Sequence, residues 1–395
     1  MRKKIIVSGT GACLVDRLYN YISFSSETFL KYCSKERGDG GLTPGHLVLK
    51  EKFESFMKED YQLALNKLTN GNIPEKINIG GPCIVALIHA AQMSKSTSEY
   101  KFYGCRGKDD KGDFLFSSLK LTPVDISNYK PIGTFTPATD VLSDPDYDNG
   151  HGERVFINTI GSAWDYLPEE LDDDFFNSDV VVFGATALVP QIHDHLTTLL
   201  EKAKSKGCIT VVNTVFDFRN EELNPKKKWP LGKSDDSYKN IDLLITDLEE
   251  TLRLSGKSTI NEAMTFFHDR GTGAVVVTDG AKNISLFSNG SLFKLLKDTE
   301  MPISEAISKE LKKGHLGDTT GCGDNFVGGV ISSLTAQLQH KKNNLDLMEA
   351  CSWGIVSGGY TCFYVGGTYL EKNTGEKQAL IEPYFKEYIK QIADK

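Results

Sequence analysis

The sequence predicts an α/β fold in three layers, α/β/α, with a mainly parallel sheet and a second, small β-sheet acting as a lid. Two observations predict the core. Short apolar runs alternate with stretches of helical periodicity along most of the chain, the pattern of parallel strands joined by crossover helices. The runs are continuously apolar, as strands covered on both faces must be. A third observation predicts the lid. Residues 139–160 break the alternation and read as a hairpin, because Thr139-Asp140-Val141-Leu142 and Arg154-Val155-Phe156-Ile157 flank a polar turn over 144–152.

In chain order, buried strands are expected at 4–8, 100–103, 180–183, 209–212, 243–245 and 274–278, and helices at 83–93, 114–119, 192–203 and 249–254. A further helix should begin at or near the glycines 321 and 323, since Phe326, Val327, Val330, Ile331 and Leu334 recur at helical spacing. Residues 17–79 hold a Gly-rich loop around 38–45, then Phe53, Phe56, Met57, Tyr61 and Leu65 at three- and four-residue spacing, which makes one apolar helix face. That face reads as packing or a subunit contact rather than a cofactor box. The core is accordingly assigned to residues 1–16, 80–132 and 161–395, and the lid region to 17–79 and 133–160. In such sheets ligands bind beyond the carboxyl ends of the strands.

Forty-five basic and 53 acidic residues leave a formal charge of -8, which argues against a nucleic-acid partner. The eight cysteines include no Cys-x-x-Cys pair and no Cys/His set at zinc spacing, so reduced thiols in the cytoplasm are expected. The apolar run Ile5-Ile6-Val7 is too short for a signal-peptide core, and no segment nears the roughly 20 apolar residues that span a bilayer, so no membrane partner is expected.

Several motifs invite functional readings that their spacing does not support. Gly9-Thr10-Gly11 suggests a dinucleotide fingerprint, but Leu14 stands where the third glycine belongs. Gly256-Lys257-Ser258 and Gly232-Lys233-Ser234 resemble the end of a P-loop, yet Thr251 and Lys227 occupy the position of its first glycine. His193 and His195 lack a third metal ligand. Asp172-Asp173-Asp174 lacks calcium-loop spacing and reads as helix-start charge, and Lys226-Lys227-Lys228 reads as solvated surface.

Asp318-Thr319-Thr320-Gly321-Cys322-Gly323-Asp324 carries the chemistry. Glycines on either side of Cys322 leave a nearly bare backbone where a helix begins, and its first N–H groups point outward with the positive end of the helix dipole. A transferring phosphoryl group fits there, and Asp324 beside it can take a proton from an attacking hydroxyl. The alternative is an ordinary loop-to-helix junction capped by Asp318 or Asp324.

This segment resembles the second signature of the ribokinase-like (PfkB) family of sugar and nucleoside kinases, with Cys322 in place of the usual alanine. Other elements follow in the family's order. Gly9 through Asp16 resembles the first strand and the aspartate that grips substrate hydroxyls, and Asn78-Ile79-Gly80-Gly81 the hinge between core and lid. Gly104-Cys105-Arg106-Gly107-Lys108-Asp109-Asp110-Lys111-Gly112 matches the family's Gly-x-x-Gly-x-Asp-x-x-Gly segment. Gly152-Glu153-Arg154 resembles the turn into the last lid strand, Asp247-Leu248-Glu249-Glu250 the Asn-x-x-Glu motif, and Thr278-Asp279-Gly280 a segment near the nucleotide.

The resemblance implies transfer of the γ-phosphoryl group of ATP to a hydroxyl of a small sugar or sugar derivative. Asp324 would be the base, with the N–H groups of Gly321, Cys322 and Gly323 stabilising the transferring group. Asp16, Gly80 and Gly81 would position the substrate. Thr278, Gly280, Asp318 and Thr319 would meet the nucleotide, and Glu250 with Asp247 would organise water around Mg²⁺. A monovalent cation such as K⁺ is an option near Asp318, Thr320 and the loop before Gly366-Gly367, and so is a homodimer through the lid region. Asp247 replaces the usual asparagine and Asn283 a glycine, while residues 17–79 exceed what a typical member needs. Arg106 departs from the apolar residue usual there and is read as pairing with a structural carboxylate. The alternative activity is an adenosine-like nucleoside kinase, from Phe102-Tyr103-Gly104-Cys105 and Phe326-Val327-Gly328-Gly329. A third reading, a catalytically weak binding or regulatory module, rests on Asp247.

Overall fold

The computed structural model describes residues 4–94, 98–150, 152–314, 317–340 and 344–393. Its strands are β1 (Ile5–Gly11), β2 (Leu14–Tyr19), β3 (Leu47–Leu49), β4 (Lys76–Gly80), β5 (Ser98–Arg106), β6 (Asp125–Pro131), β7 (Ala138–Asp144), β8 (Glu153–Thr159), β9 (Val180–Gly184), β10 (Ile209–Asn213), β11 (Leu243–Asp247), β12 (Ala274–Thr278), β13 (Ile284–Ser288) and β14 (Leu296–Met301).

Nine of them form the core sheet, in the order β14-β13-β12-β11-β10-β9-β1-β5-β6. Pairing is parallel from β12 to β6 and antiparallel through β13 and β14. Alternate residues feed two separate cores, as the strand pleat requires. Val180, Val182, Val211 and Val276 pack toward helices Pro82–Met93, Cys322–Leu338 and Leu347–Thr361, while Val181, Phe183, Val212 and Val275 pack toward Leu196–Ser205 and Ile260–Asp269. The expected three layers are therefore present. All six expected core strands occur; β6, β13 and β14 were not anticipated, β6 and β14 because exposed or charged residues alternate along them, as on sheet edges.

The second sheet has the order β3-β8-β7-β2-β4. The hairpin expected over 139–160 supplies β7 and β8, paired antiparallel. The lid starts earlier than the division at residue 16 implied, because β2 begins at Leu14, and it includes all of β4 up to Gly80. Residues 17–79 build the outer side of this sheet. Tyr19, Leu142, Val155 and Ile157 of the lid strands pack with Phe24, Phe29, Tyr32, Phe53, Tyr61 and Leu65. The apolar face anticipated at 53–65 therefore does pack, but as two helices, Lys50–Met57 and Tyr61–Leu68. The chain breaks at Lys58, in the left-handed region at φ 57°, and restarts where Asp60 accepts from the N–H of Leu63 at 3.1 Å. A homodimer formed face-on through the lid would have to use a surface these helices already cover.

The other side motifs are structural. His193 Nδ1 lies 3.0 Å from Thr186 Oγ1 and its Nε2 faces Asp217 at 3.5 Å. Asp172 caps helix Asp173–Phe176, and Arg106 pairs with Asp113 at 3.3 Å over the Phe116 ring. Among the described residues no helix is long and apolar enough to cross a membrane.

Candidate active site

The carboxyl ends of β1, β9, β10, β11 and β12 share one edge of the core sheet, and helix Cys322–Leu338 starts there after Gly321. Gly321 has φ 77°, and a Cβ on it would fall on the Cα of Gly367, so the turn accepts glycine alone. Asp318 Oδ1 ties the same two turns together by accepting from the N–H groups of Thr320 at 3.0 Å and Gly366 at 3.1 Å. The helix has no side-chain N-cap, which removes the reading of Asp318 or Asp324 as an ordinary cap. The Cys322 N–H turns back to the Thr319 carbonyl at 3.3 Å. Among the described residues, no acceptor meets the N–H groups of Gly321, Gly323 or Asp324. A Cβ on Gly323 would meet nothing within 4 Å, so this stretch of backbone faces open space. Unpaired amides at the positive end of a 17-residue helix can hold an anion.

Asp324 projects from the first turn of that helix. Burial pushes its carboxyl up to about 7, with the Arg154 guanidinium of the lid acting in the opposite direction. A carboxylate poised there suits a general base near neutral pH.

Across the cleft, Asp16 sits in the middle of β2 and is buried, yet no donor among the described residues reaches its carboxylate. Burial, then the charges of Asp324, Asp318 and Asp140, hold it well above the usual carboxylate range. Asp16 and Asp324 thus approach one space from lid and core. Gly80 makes room for this, because a Cβ on it would overlap the Asp16 carboxylate. Gly81, at φ 107°, lies against the Ala12 carbonyl where lid meets core. Strand register puts Asn78, Thr139 and Asn158 on the same lid face as Asp16. Asn158 donates to Thr139 Oγ1 at 2.8 Å, and its buried Oδ1 has no partner. Phe156 follows on that face, with the Arg154 guanidinium 5.4 Å from its ring centre.

Glu250 and Asp247 cap helix Leu248–Ser255 reciprocally, with the Glu250 N–H bonded to Asp247 Oδ1 at 2.8 Å. Glu250 is buried and also accepts from Thr214 Oγ1. Partial desolvation pushes Asp247 up to about 6, and burial plus the Asp247 charge raises Glu250 well above its ordinary value. A solvent-open Asp247 beside the buried Glu250 at one helix start is a place where a cation's hydration shell would be favourable. Asp247 pairs in register with Thr278, and Gly280 just beyond has φ 55° with nothing within 4 Å of a would-be Cβ. Thr319 is exposed beside the anion site.

Arg154, Thr139 and Asn158 were not singled out from the sequence. Gly152-Glu153-Arg154 was the available signal for the first; the other two needed the strand register. A cavity of about 350 Å³ lies apart from this site, between loop 34–43 and segment 216–222. Arg37 and His46 line it and reach Glu249 at 3.1 and 3.2 Å, so it marks the seam where residues 17–79 dock on the core.

The description pfkB family carbohydrate kinase matches residues 78–373. A probable fructokinase-7 of Arabidopsis thaliana is 24% identical over 293 residues, covering 71% of this chain and 77% of that protein. A ribokinase of Staphylococcus aureus (strain COL) is 23% identical over 281 residues, covering 69% and 80%. Among solved structures, adenosine kinase from Sinorhizobium meliloti superposes with a TM-score of 0.69 at 15% identity, covering 96% of this chain and 99% of that one.

Proposed function

The chain belongs to the pfkB family of carbohydrate kinases, and from that premise we propose that it transfers the γ-phosphoryl group of ATP to a hydroxyl of a small sugar or sugar derivative. One observation carries the reading: Asp16 and Asp324, two carboxyls without a donor among the described residues, converge beside the unpaired amides of Gly323 and Asp324. Asp16, with Asn158 and Thr139 alongside, accepts from and donates to the acceptor's hydroxyls and orients one of them toward Asp324. Asp324 takes that hydroxyl's proton as its oxygen attacks. The amides of Gly321 and Gly323 and the lid's Arg154 face the negative charge of the transferring group, while the Cys322 amide, bonded to the Thr319 carbonyl, offers it no free donor. Closing the lid on the Gly80-Gly81 hinge removes water that would otherwise compete as acceptor.

Thr278, Gly280, Asp318 and Thr319 are assigned to the nucleotide, whose phosphates fit the open backbone at Gly323 and Gly280. Mg²⁺ fits the raised carboxyls of Asp247 and Glu250 through water and would supply charge neutralisation on the phosphates. K⁺ fits less well. Among the described residues Asp318 Oδ2 and Thr320 Oγ1 are buried without partners, but the Lys76 ammonium already holds the Val365 carbonyl and is drawn electrostatically to Asp318. Lys76 therefore supplies positive charge at that place.

The sugar reading is favoured by the polar row on the lid and by the position of the aromatics of residues 17–79, which pack on its outer face. A nucleoside remains the second reading because Phe156 offers one ring on the inner face, and because adenosine kinases are among the structural neighbours. ATP consumption measured against ketoses, aldoses, sugar acids and nucleosides tests both. Turnover with one sugar class supports the first; turnover with nucleosides alone replaces it with the second; acceptor-independent or absent turnover overturns both.

A further inference from the structure

Lys377 has no part in the chemistry above, yet its side chain is among the most deeply buried charged groups of the molecule. It is the second residue of helix Glu376–Ala393 and is 1% exposed. Its Nζ donates to Asn325 Oδ1 at 2.8 Å and lies 5.6 and 5.8 Å from the ring centres of Tyr364 and Tyr369. Among the described residues no carboxylate lies within ion-pair distance of it. Glu371, which favours its charge from further away, is bonded to the Lys377 backbone N–H at 2.8 Å. His89, buried on the other side, is kept neutral by burial and by the Lys377 charge. A lysine sequestered without a counter-ion is costly. A structural account alone would fill this space with an apolar side chain.

The hydrogen-bond pattern supplies a reason for the amine. A carboxamide has the same outline in either flip, so its shape does not decide which end faces which way. Burial pulls the Lys377 amine down to about 7, so near neutral pH it is part ammonium and part amine; both forms can donate to Oδ1, while the two backbone carbonyls on the far side of Asn325 can only accept. Asn325 must therefore turn Oδ1 to Lys377 and Nδ2 away from it, and Nδ2 then bonds the carbonyls of Gly321 and Gly367, each at 2.8 Å. These two carbonyls belong to the turns that touch where Gly321 permits no Cβ. With Asn325 flipped, three oxygens would crowd together, and the two turns would separate.

We propose that Lys377 is a positioning residue for phosphoryl transfer: through Asn325 it clamps the carbonyls of Gly321 and Gly367 and so holds the adjoining amides of the anion site in place. The proposal rests on the kinase reading above, and it concerns how the site is held rather than which groups touch the substrates.

The test compares Lys377→Met and Asn325→Asp with wild type, measuring kcat, both KM values and Tm. Asn325→Asp keeps the shape and gives Lys377 a counter-ion, while removing both bonds to the glycine carbonyls. Each variant should lose about 10- to 100-fold in kcat, as misplacement by a fraction of an ångström to an ångström does, with KM for ATP and acceptor changed less than about threefold. Asn325→Asp exchanges two hydrogen bonds for an ion pair with Lys377, so its Tm should fall no further than that of Lys377→Met while its kcat falls at least as far, which separates positioning from stability. Lys377→Ala should regain part of its turnover when ethylamine is added. Wild-type kcat in Asn325→Asp overturns the clamp. So does a loss in Lys377→Met that tracks Tm alone, with no response of Lys377→Ala to amine. A wild type that does not turn over with any acceptor overturns the kinase reading, and the clamp with it.

Discussion

Asp324 and the amides beside it come from seven consecutive residues, whereas Asp16, Asn78, Thr139 and Asn158 come from four strands that meet only in the folded lid. The anion turn is held from beneath by short bonds: Asp318 to two amides, Asn325 to two carbonyls, Lys377 to Asn325. The lid face is held by strand register and by a separate core of aromatic side chains on its outer side. On the proposed function, reaction and acceptor choice fall to different parts of the chain. A local turn can be kept for phosphoryl transfer while a sheet assembled from distant segments changes the acceptor.

The comparison can be broken at either end. Replacing Asp324 by Asn should have the largest effect, a fall in kcat of about 10³-fold or more with nucleotide binding retained, as loss of a general base requires; isothermal titration with ATP alongside turnover checks it. Asp16→Asn should instead act on the acceptor, lowering kcat/KM for it by about 10²-fold while KM for ATP stays within about twofold. Gly80→Ala would press on the Asp16 carboxylate and should reproduce that pattern at about 10-fold. If either lid variant raised KM for ATP instead, the division between turn and lid would fail.

A smaller effect concerns stability. The Asp324 carboxyl is raised in the folded protein, so the folded state binds its proton more tightly than the unfolded chain does. The favourable contribution is present below the unfolded value near 4 and is lost as pH rises toward about 7. The Tm of Asp324→Asn should therefore exceed that of wild type by a margin that widens over this range and then levels. Unfolding scans from pH 4 to 8 would show it. The smallest effect is expected from monovalent cations. With Lys76 beside Asp318, exchanging K⁺ for tetramethylammonium should change turnover by less than about twofold at constant ionic strength.

The turn was legible because its glycines and carboxylates are contiguous and each has a local meaning: Gly321 for positive φ, Gly323 for open backbone, Asp324 beside the amides. Asp16 was also legible, but as the end of the first core strand. The chain in fact crosses to the lid at Ala12-Cys13 and carries Asp16 inside β2. The lid's other strands were hidden for a physical reason. β3 is only three residues long, β4 mixes polar with apolar residues, and the strand that β3 pairs with, β8, lies more than a hundred positions further along the chain. The burial of Glu250 and its bonds to Thr214 and Asp247 depend on packing that its place in an acidic helix start does not reveal. Lys377, within Glu-Lys-Gln-Ala-Leu-Ile-Glu, reads as an ordinary charged helix residue until packing buries it.

The central claim is that Asp324 removes the proton from the acceptor hydroxyl. It is tested most directly by the pH dependence of kcat/KM for the acceptor in wild type and in Asp324→Asn, between pH 5.5 and 9. The account predicts that wild-type kcat/KM rises with pH and levels above about 7, where the carboxyl is ionised. The residual rate of Asp324→Asn should lack that rise. The same acid limb in both proteins would show that another group titrates, and would contradict the assignment of Asp324 as the base.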